Sequence, residues 1–348
     1  MLYSIYMFDY KLPKELIANT PAEPRDSARL FVYSTKTDEI VLDTFANLAR
    51  YIPAESVVVL NDTKVVPARL TLSKLTGGEV AVLFLMNEWD GGPMIKGLPN
   101  KNINVNEGLF LIGHPILEPV SHINEEFTFK LLVPPAEFKD LFDKYGRTPL
   151  PPYIHSDMAE NELRERYQST FAARPASVAA PTAALHFTDR VFRSLELKGI
   201  ATTKVTLHVG RGTFSPVTPQ MEKDFKLHSE PIHVSKESSE LLCAAKSSGK
   251  KVVVCGTTAL RLVESAAPWI LAGQQFDGET SLFIRAPYEF KVADAFITNF
   301  HLPGTSLLML LDAFLQWRGA KRSWKDLYGQ AVRDRMRFYS FGDAMLII

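Results

Sequence analysis

Four histidines in this chain stand beside hydroxyl, amide or charged neighbours: His186 in SVAAPTAALHFT, His208 in VTLHVGRGTF, His228 in LHSE and His301 in ITNFHLP. Imidazole exchanges a proton near neutral pH, so residues of this type at the ends of regular elements suit acid–base chemistry on a bound molecule. Glu230 follows His228 by two residues, and Asn61-Asp62 ends the apolar run SVVVL. None of the histidines has the HExxH or CxxC spacing of a metal site, and there is no GxSxG nucleophile elbow. The two cysteines, Cys243 and Cys255, form neither a disulfide framework nor a metal cluster and fit a reducing cytoplasm.

Several short elements must position these groups. In Lys204–Val209 the apolar Val205, Leu207 and Val209 alternate with Lys204, Thr206 and His208, the pattern of a strand with one buried face. Gly210-Arg211-Gly212-Thr213 then breaks it, either as a pocket wall or as a hairpin with polar ends. Ser56–Leu60 and Lys251–Cys255 are unbroken apolar runs, typical of strands buried on both faces. The second leads through Gly256-Thr257-Thr258 into a helix carrying Arg261 and Glu264. A glycine turn there offers backbone N–H groups and a positive helix end to an anion. The P-loop lysine and dinucleotide glycine spacing are missing, which favours a carboxylate guest over phosphate. Further strands are expected at Thr280–Ile284 and Asp294–Thr298, the latter running into Asn299 and His301, and a buried helix at Ser306–Leu315.

The chain has 348 residues and 46% hydrophobic content, enough for a large core and more than one domain. Its 39 basic and 39 acidic residues cancel, so nucleic-acid contact would need a local patch. Such a patch is offered by Arg318, Lys321, Arg322 and Lys325, with Trp317 and Trp324 interleaved, although a solvated helix has the same composition. The N-terminus does not read as a signal peptide, and no apolar run is long enough to span a bilayer. Between Leu70 and Arg147 short strands alternate with Gly, Asn and Pro, pointing to a small barrel or sandwich. The expected fold is layered α/β, with a main domain of residues 1–69 and 148–348 and an inserted all-β, barrel-like domain of residues 70–147.

Taken together, TPAEPRDSARL, VVVLNDTKVVPARL, GRTPLPPYI, SVAAPTAALHFT, VTLHVGRGTF, LHSE, CGTTALRLVES, ITNFHLPGTSLLML and RFYSFGDAMLI resemble the S-adenosylmethionine:tRNA ribosyltransferase-isomerase family of queuosine biosynthesis. The resemblance implies transfer and isomerisation of the ribosyl part of S-adenosylmethionine onto 7-aminomethyl-7-deazaguanine at the tRNA wobble position. Adenine and methionine leave, and S-adenosylmethionine is a substrate, with no cofactor or metal. On this reading His186, His208 or His228, with Glu230, removes the C5′ proton, while Asp62, Asn61 or Asp343 assists adenine departure. Thr257, Thr258 and Arg211 would hold the methionine carboxylate. Thr182, Thr213, Asn299 and His301 would line the pocket. Arg25, Arg69, Arg318, Lys321 and Arg322 would meet tRNA phosphates. A cytoplasmic monomer without membrane contact is expected. The chain departs from the family pattern at Ala176 and Ala184, where glycines are expected and each methyl would narrow the pocket, and at Gly97–Lys101, where a basic run is expected. These departures define the alternative: a diverged relative that binds S-adenosylmethionine or RNA without turnover, or uses another acceptor.

Overall fold

Val57–Asn61 is buried at every position, a state available only to a strand covered on both faces. In the computed structural model it lies next to the central strand of a nine-stranded mixed sheet. The structure describes residues 5–151, 154, 156–210, 212 and 217–348, of Tyr6 the backbone alone, so Arg211 and Thr213 lie outside the described residues. The strand order is Phe276–Leu282, Lys226–Val234, Ala201–Leu207, Val57–Asn61, Val252–Cys255, Ala295–Asn299, Ala344–Ile347, Arg29–Ser34 and Glu39–Thr44. Pairing is parallel from Ala201–Leu207 across to Ala295–Asn299. Those four strands therefore end on one side of the sheet, which is where open α/β sheets take their ligands.

The pleat divides the apolar residues between two cores. Val57, Val59, Val252 and Val254 face one, with the helix Ser306–Trp317 packed over it. Val58, Leu60, Val253 and Cys255 face the other, under Phe45, Phe187 and Val191. Thr188 caps the helix Asp189–Leu197 by accepting from the Val191 amide. Among the described residues no helix is long and apolar enough to cross a membrane, and no His/Cys/Asp/Glu group could hold a metal ion.

Six antiparallel strands between Arg69 and Leu131 close into a barrel filled by Leu70, Leu72, Val82, Phe84, Phe129 and their neighbours. Within the stretch read as all-β lies one helix, Pro135–Tyr145, which strand spacing did not reveal. Its Phe138 and Phe142 are one turn apart and both meet Phe84 edge-on, with ring centroids 5.5 Å away. The helix thus plugs the barrel. The two connections to the main sheet run side by side, Arg69 and Arg147 exchanging backbone hydrogen bonds of 3.2 and 2.8 Å. A Cβ on Gly146 would stand 2.2 Å from the Pro67 carbonyl oxygen. Gly146→Ala is accordingly expected to lower stability by about 1–3 kcal/mol in urea unfolding, through forced separation of the two connections.

Candidate active site

The parallel strand ends surround a cavity of about 240 Å³. A second hollow, of about 10 Å³, has room for roughly one water. Only the first can take a nucleoside. One wall is the turn Ala179–Ala183, and another is the strand Lys226–Val234, which contributes His228 and Glu230. The strand is bulged between Lys226 and Glu230, and His228 and Glu230 nonetheless both line the cavity. The helix Thr257–Ser265 adds Thr257, Thr258 and Arg261 at its N-terminal half, and Thr298, Asn299 and His301 come from the end of the next parallel strand.

Glu230 and Arg261 form a buried pair, with side-chain exposures of 5% and 9%. Arg261 Nη1 donates to Glu230 Oε2, the Gly210 amide donates to Glu230 Oε1 at 3.0 Å, and Arg261 Nε donates to the Leu282 carbonyl at 2.9 Å. Thr182 Oγ1 donates to Asn299 Oδ1 at 2.8 Å. Among the described residues Asn299 Nδ2 and Arg261 Nη2 are buried without a hydrogen-bond partner. Buried donors are rarely left unmade.

His301 is fixed on several sides. Its Nε2 lies 2.9 Å from Thr298 Oγ1, its amide donates to Tyr328 Oη at 2.9 Å and its carbonyl accepts from Tyr10 Oη at 2.6 Å. Burial pushes its pKa down to about 3, so it is neutral at physiological pH. Asn61 stitches strand ends together rather than lining the cavity. Its Nδ2 donates to the Leu207 carbonyl and to Thr258 Oγ1, both at 3.1 Å, and its Oδ1 accepts from Leu207 N and Thr63 N.

Other residues expected in the site stand elsewhere. His208 projects from the opposite face of its strand to Val209, and its Nδ1 lies 2.8 Å from Thr63 Oγ1. Burial lowers its pKa, with Asp62 opposing. Asp62 itself accepts from Thr206 Oγ1 at 2.6 Å. His186 borders the small hollow beside Arg25. Asp343 accepts from the amides of Arg29 at 2.9 Å and Arg337 at 2.7 Å, closing the C-terminal loop. Arg25 donates to the carbonyls of Gln168 and Glu165. Arg69 sits at the paired connections, Arg322 bonds Asp38 at 3.0 Å, Arg318 lies over the Trp317 ring and Lys321 is exposed. Neither tryptophan is free to stack on a base face-on: Trp324 is stacked on Phe8 inside the core, and Trp317 packs on Phe290 and Phe314. The Ala184 methyl is buried in the core beneath the sheet, and neither it nor Ala176 lines the cavity, so the expected narrowing is not found.

Sequence reasoning missed Tyr167, Thr305–Leu307, Tyr339 and Ser340 on the cavity wall. Thr305 and Ser306 were concealed by the apolar run that follows them. Arg261 carried a readable signal, since it stands four residues after Thr257 and so on the same helix face.

His186 gives a pH prediction. Burial lowers its pKa from 6.5 to about 4, so the folded state resists protonation while the unfolded chain accepts it. The stability it contributes is complete above pH 6.5 and is lost as pH falls towards about 4. His186→Gln is expected to reduce proton uptake on unfolding by about one proton within this window, measured as the slope of unfolding free energy against pH.

The comparisons with known proteins agree with this architecture. A family model described as queuosine biosynthesis protein matches residues 5–347. A Thermotoga petrophila protein named S-adenosylmethionine:tRNA ribosyltransferase-isomerase is 41% identical over 345 residues, covering 98% of each chain. An Aquifex aeolicus protein of the same name is 41% identical over 349 residues, again with 98% of each covered. The crystal structure of S-adenosylmethionine tRNA ribosyltransferase from Thermotoga maritima aligns with a TM-score of 0.53 and 30% identity, over 98% of this chain and 99% of that one. With that match along nearly its whole length, the chain belongs to the queuosine biosynthesis protein family.

Proposed function

We propose that this protein is a tRNA ribosyltransferase-isomerase. It moves the ribosyl part of S-adenosylmethionine onto 7-aminomethyl-7-deazaguanine at the wobble position of tRNA, forms epoxyqueuosine-tRNA and releases adenine and methionine. The relatives' names give S-adenosylmethionine, tRNA and ribosyl transfer with isomerisation, and one observation supports the same chemistry in this chain: His228, Glu230, Thr182 and Asn299 face a single nucleoside-scale cavity at the ends of parallel strands. The sulfonium acidifies the adjacent C5′–H, and a neutral imidazole is the base that suits it. Glu230 already accepts from Arg261 and the Gly210 amide, so both of its carboxylate oxygens are committed to protein donors. His228 therefore takes the proton, and adenine leaves more readily as it gains one. Exposed Lys321, with Arg318 and Arg322 beside it, is the phosphate-binding candidate, because Arg25 already serves protein carbonyls. The free cysteines and the tRNA substrate support a cytoplasmic setting.

The test is incubation with S-adenosylmethionine and tRNA bearing the deazaguanine. Adenine produced only in the presence of that tRNA is the expected result. Binding of S-adenosylmethionine with no adenine formed would overturn the reading.

A further inference from the structure

We propose that the α-carboxylate of the methionyl arm of S-adenosylmethionine is held by Arg261 Nη2 and Asn299 Nδ2, between the N-termini of the helices Thr257–Ser265 and Ser306–Trp317. This rests on the functional reading above and names a subsite within the same cavity.

The two donors are the first observation. Arg261 and Asn299 are 8% and 4% exposed, both line the cavity, and each keeps one NH2 group without a partner among the described residues. Their other atoms are occupied. Glu230 and the Leu282 carbonyl take Arg261 Nη1 and Nε, and Asn299 Oδ1 accepts from the Thr182 hydroxyl, with Nδ2 left over. Two donors with no acceptor call for an acceptor-only guest, and a carboxylate is one.

The helix ends are the second observation. Helices of nine and twelve residues both begin at the cavity, through Thr257 and Thr258 in one and Thr305 and Ser306 in the other. Neither N-terminus has a side-chain cap. Gly256 has no side chain to offer, and the Thr305 hydroxyl donates away to the Leu302 carbonyl. Each end presents unpaired N–H groups and about half a positive charge.

Charge selects the guest. Glu230 neutralises Arg261, so the field in the cavity comes from the two helix ends, about one unit in all. That matches a singly charged carboxylate and undercompensates a phosphate dianion. Anchoring this end leaves the sulfonium and ribose to project along the wall carrying His228.

Calorimetric binding of S-adenosylmethionine and of decarboxylated S-adenosylmethionine, which keeps the sulfonium and adenosine, isolates the contact. The wild-type protein is expected to bind the carboxylated form roughly 30-fold more tightly. Asn299→Leu is expected to weaken S-adenosylmethionine by roughly 10-fold while leaving the decarboxylated form unchanged. Arg261→Lys, which keeps a charge opposite Glu230, is expected to lower the same ratio. Equal wild-type affinity for the two compounds overturns the subsite, as does a variant that weakens both alike, the sign of a merely structural role. The outcomes are separable from failure of the function itself: a wrong subsite leaves adenine release from the tRNA mixture intact with a ratio near unity, whereas a wrong function abolishes adenine release whatever the ratio.

Discussion

His228→Ala is expected to slow adenine release from S-adenosylmethionine by about 10²–10⁴-fold, the usual contribution of a positioned general base, with S-adenosylmethionine affinity changed far less. Two features place this expectation on His228 rather than on another imidazole. It lines the cavity wall with Glu230, and it is partly exposed, so a substrate can reach it. His301 lines the cavity as well, but it is anchored through Thr298, Tyr10 and Tyr328 and buried. His186 and His208 do not line the cavity at all. His208→Ala is therefore the matched control, expected to lower the rate by less than about tenfold, since it removes no group from the reacting atoms. The measurement is single-turnover adenine formation with saturating tRNA across pH. The wild-type rate should rise with pH as the base loses its proton, and that limb should vanish in the His228 variant. Equal rates in the wild type and His228→Ala would remove His228 from the chemistry.

Glu230→Ala is expected to destabilise the fold by about 3–5 kcal/mol, because it leaves the Arg261 guanidinium buried without its counter-charge. The two side chains are almost wholly enclosed and join three elements: the strand Lys226–Val234, the helix Thr257–Ser265 and the neighbouring strand through the Leu282 carbonyl. Breaking one partner of a buried ion pair costs far more than the pair contributes net, so the double variant Glu230→Leu with Arg261→Met should recover most of the loss. Chemical denaturation of Glu230→Leu, Arg261→Met and the double variant gives the coupling directly. A loss below about 1 kcal/mol for Glu230→Ala would mean that water reaches the pair, as at an exposed salt bridge. The same cycle separates stability from binding, since the double variant should fold and yet lose its preference for carboxylated S-adenosylmethionine.

Much of the scaffold was readable from residue patterns alone. VVVL and VVVC have no polar interruption, and only a central strand tolerates that, so two of the four parallel strands were evident. The alternation through Lys204–Val209 likewise separated His208 from Val205, Leu207 and Val209. The pattern could not say on which side of the sheet a cavity would open, because that depends on what packs against each face. The helix Ser306–Trp317 covers one face and the helix Asp189–Leu197 the other, and only the first leaves its N-terminus at the strand ends. His186 shows the same limit over a shorter distance. It follows Thr182 by four residues, a spacing that shares a face in an α-helix. The segment is a 3₁₀ turn, where residues three apart align and those four apart diverge by about a third of a circle. Thr182 thus meets the cavity and His186 the hollow beside Arg25.

By itself the sequence determined the central parallel strands, the Thr188 helix cap, the barrel-like texture and the inventory of imidazoles, hydroxyls and glycines, because these follow from local periodicity and backbone preference, whereas the strand Lys226–Val234 escaped it. Only the tertiary structure decided which of those groups share a cavity. It joined Glu230 to Arg261, turned His208 away, brought two helix ends together and left Asn299 with an unused donor. The reason is physical: contacts between residues 31 or 117 positions apart are set by sheet order and by the packing of whole elements, and no window of local sequence carries that information.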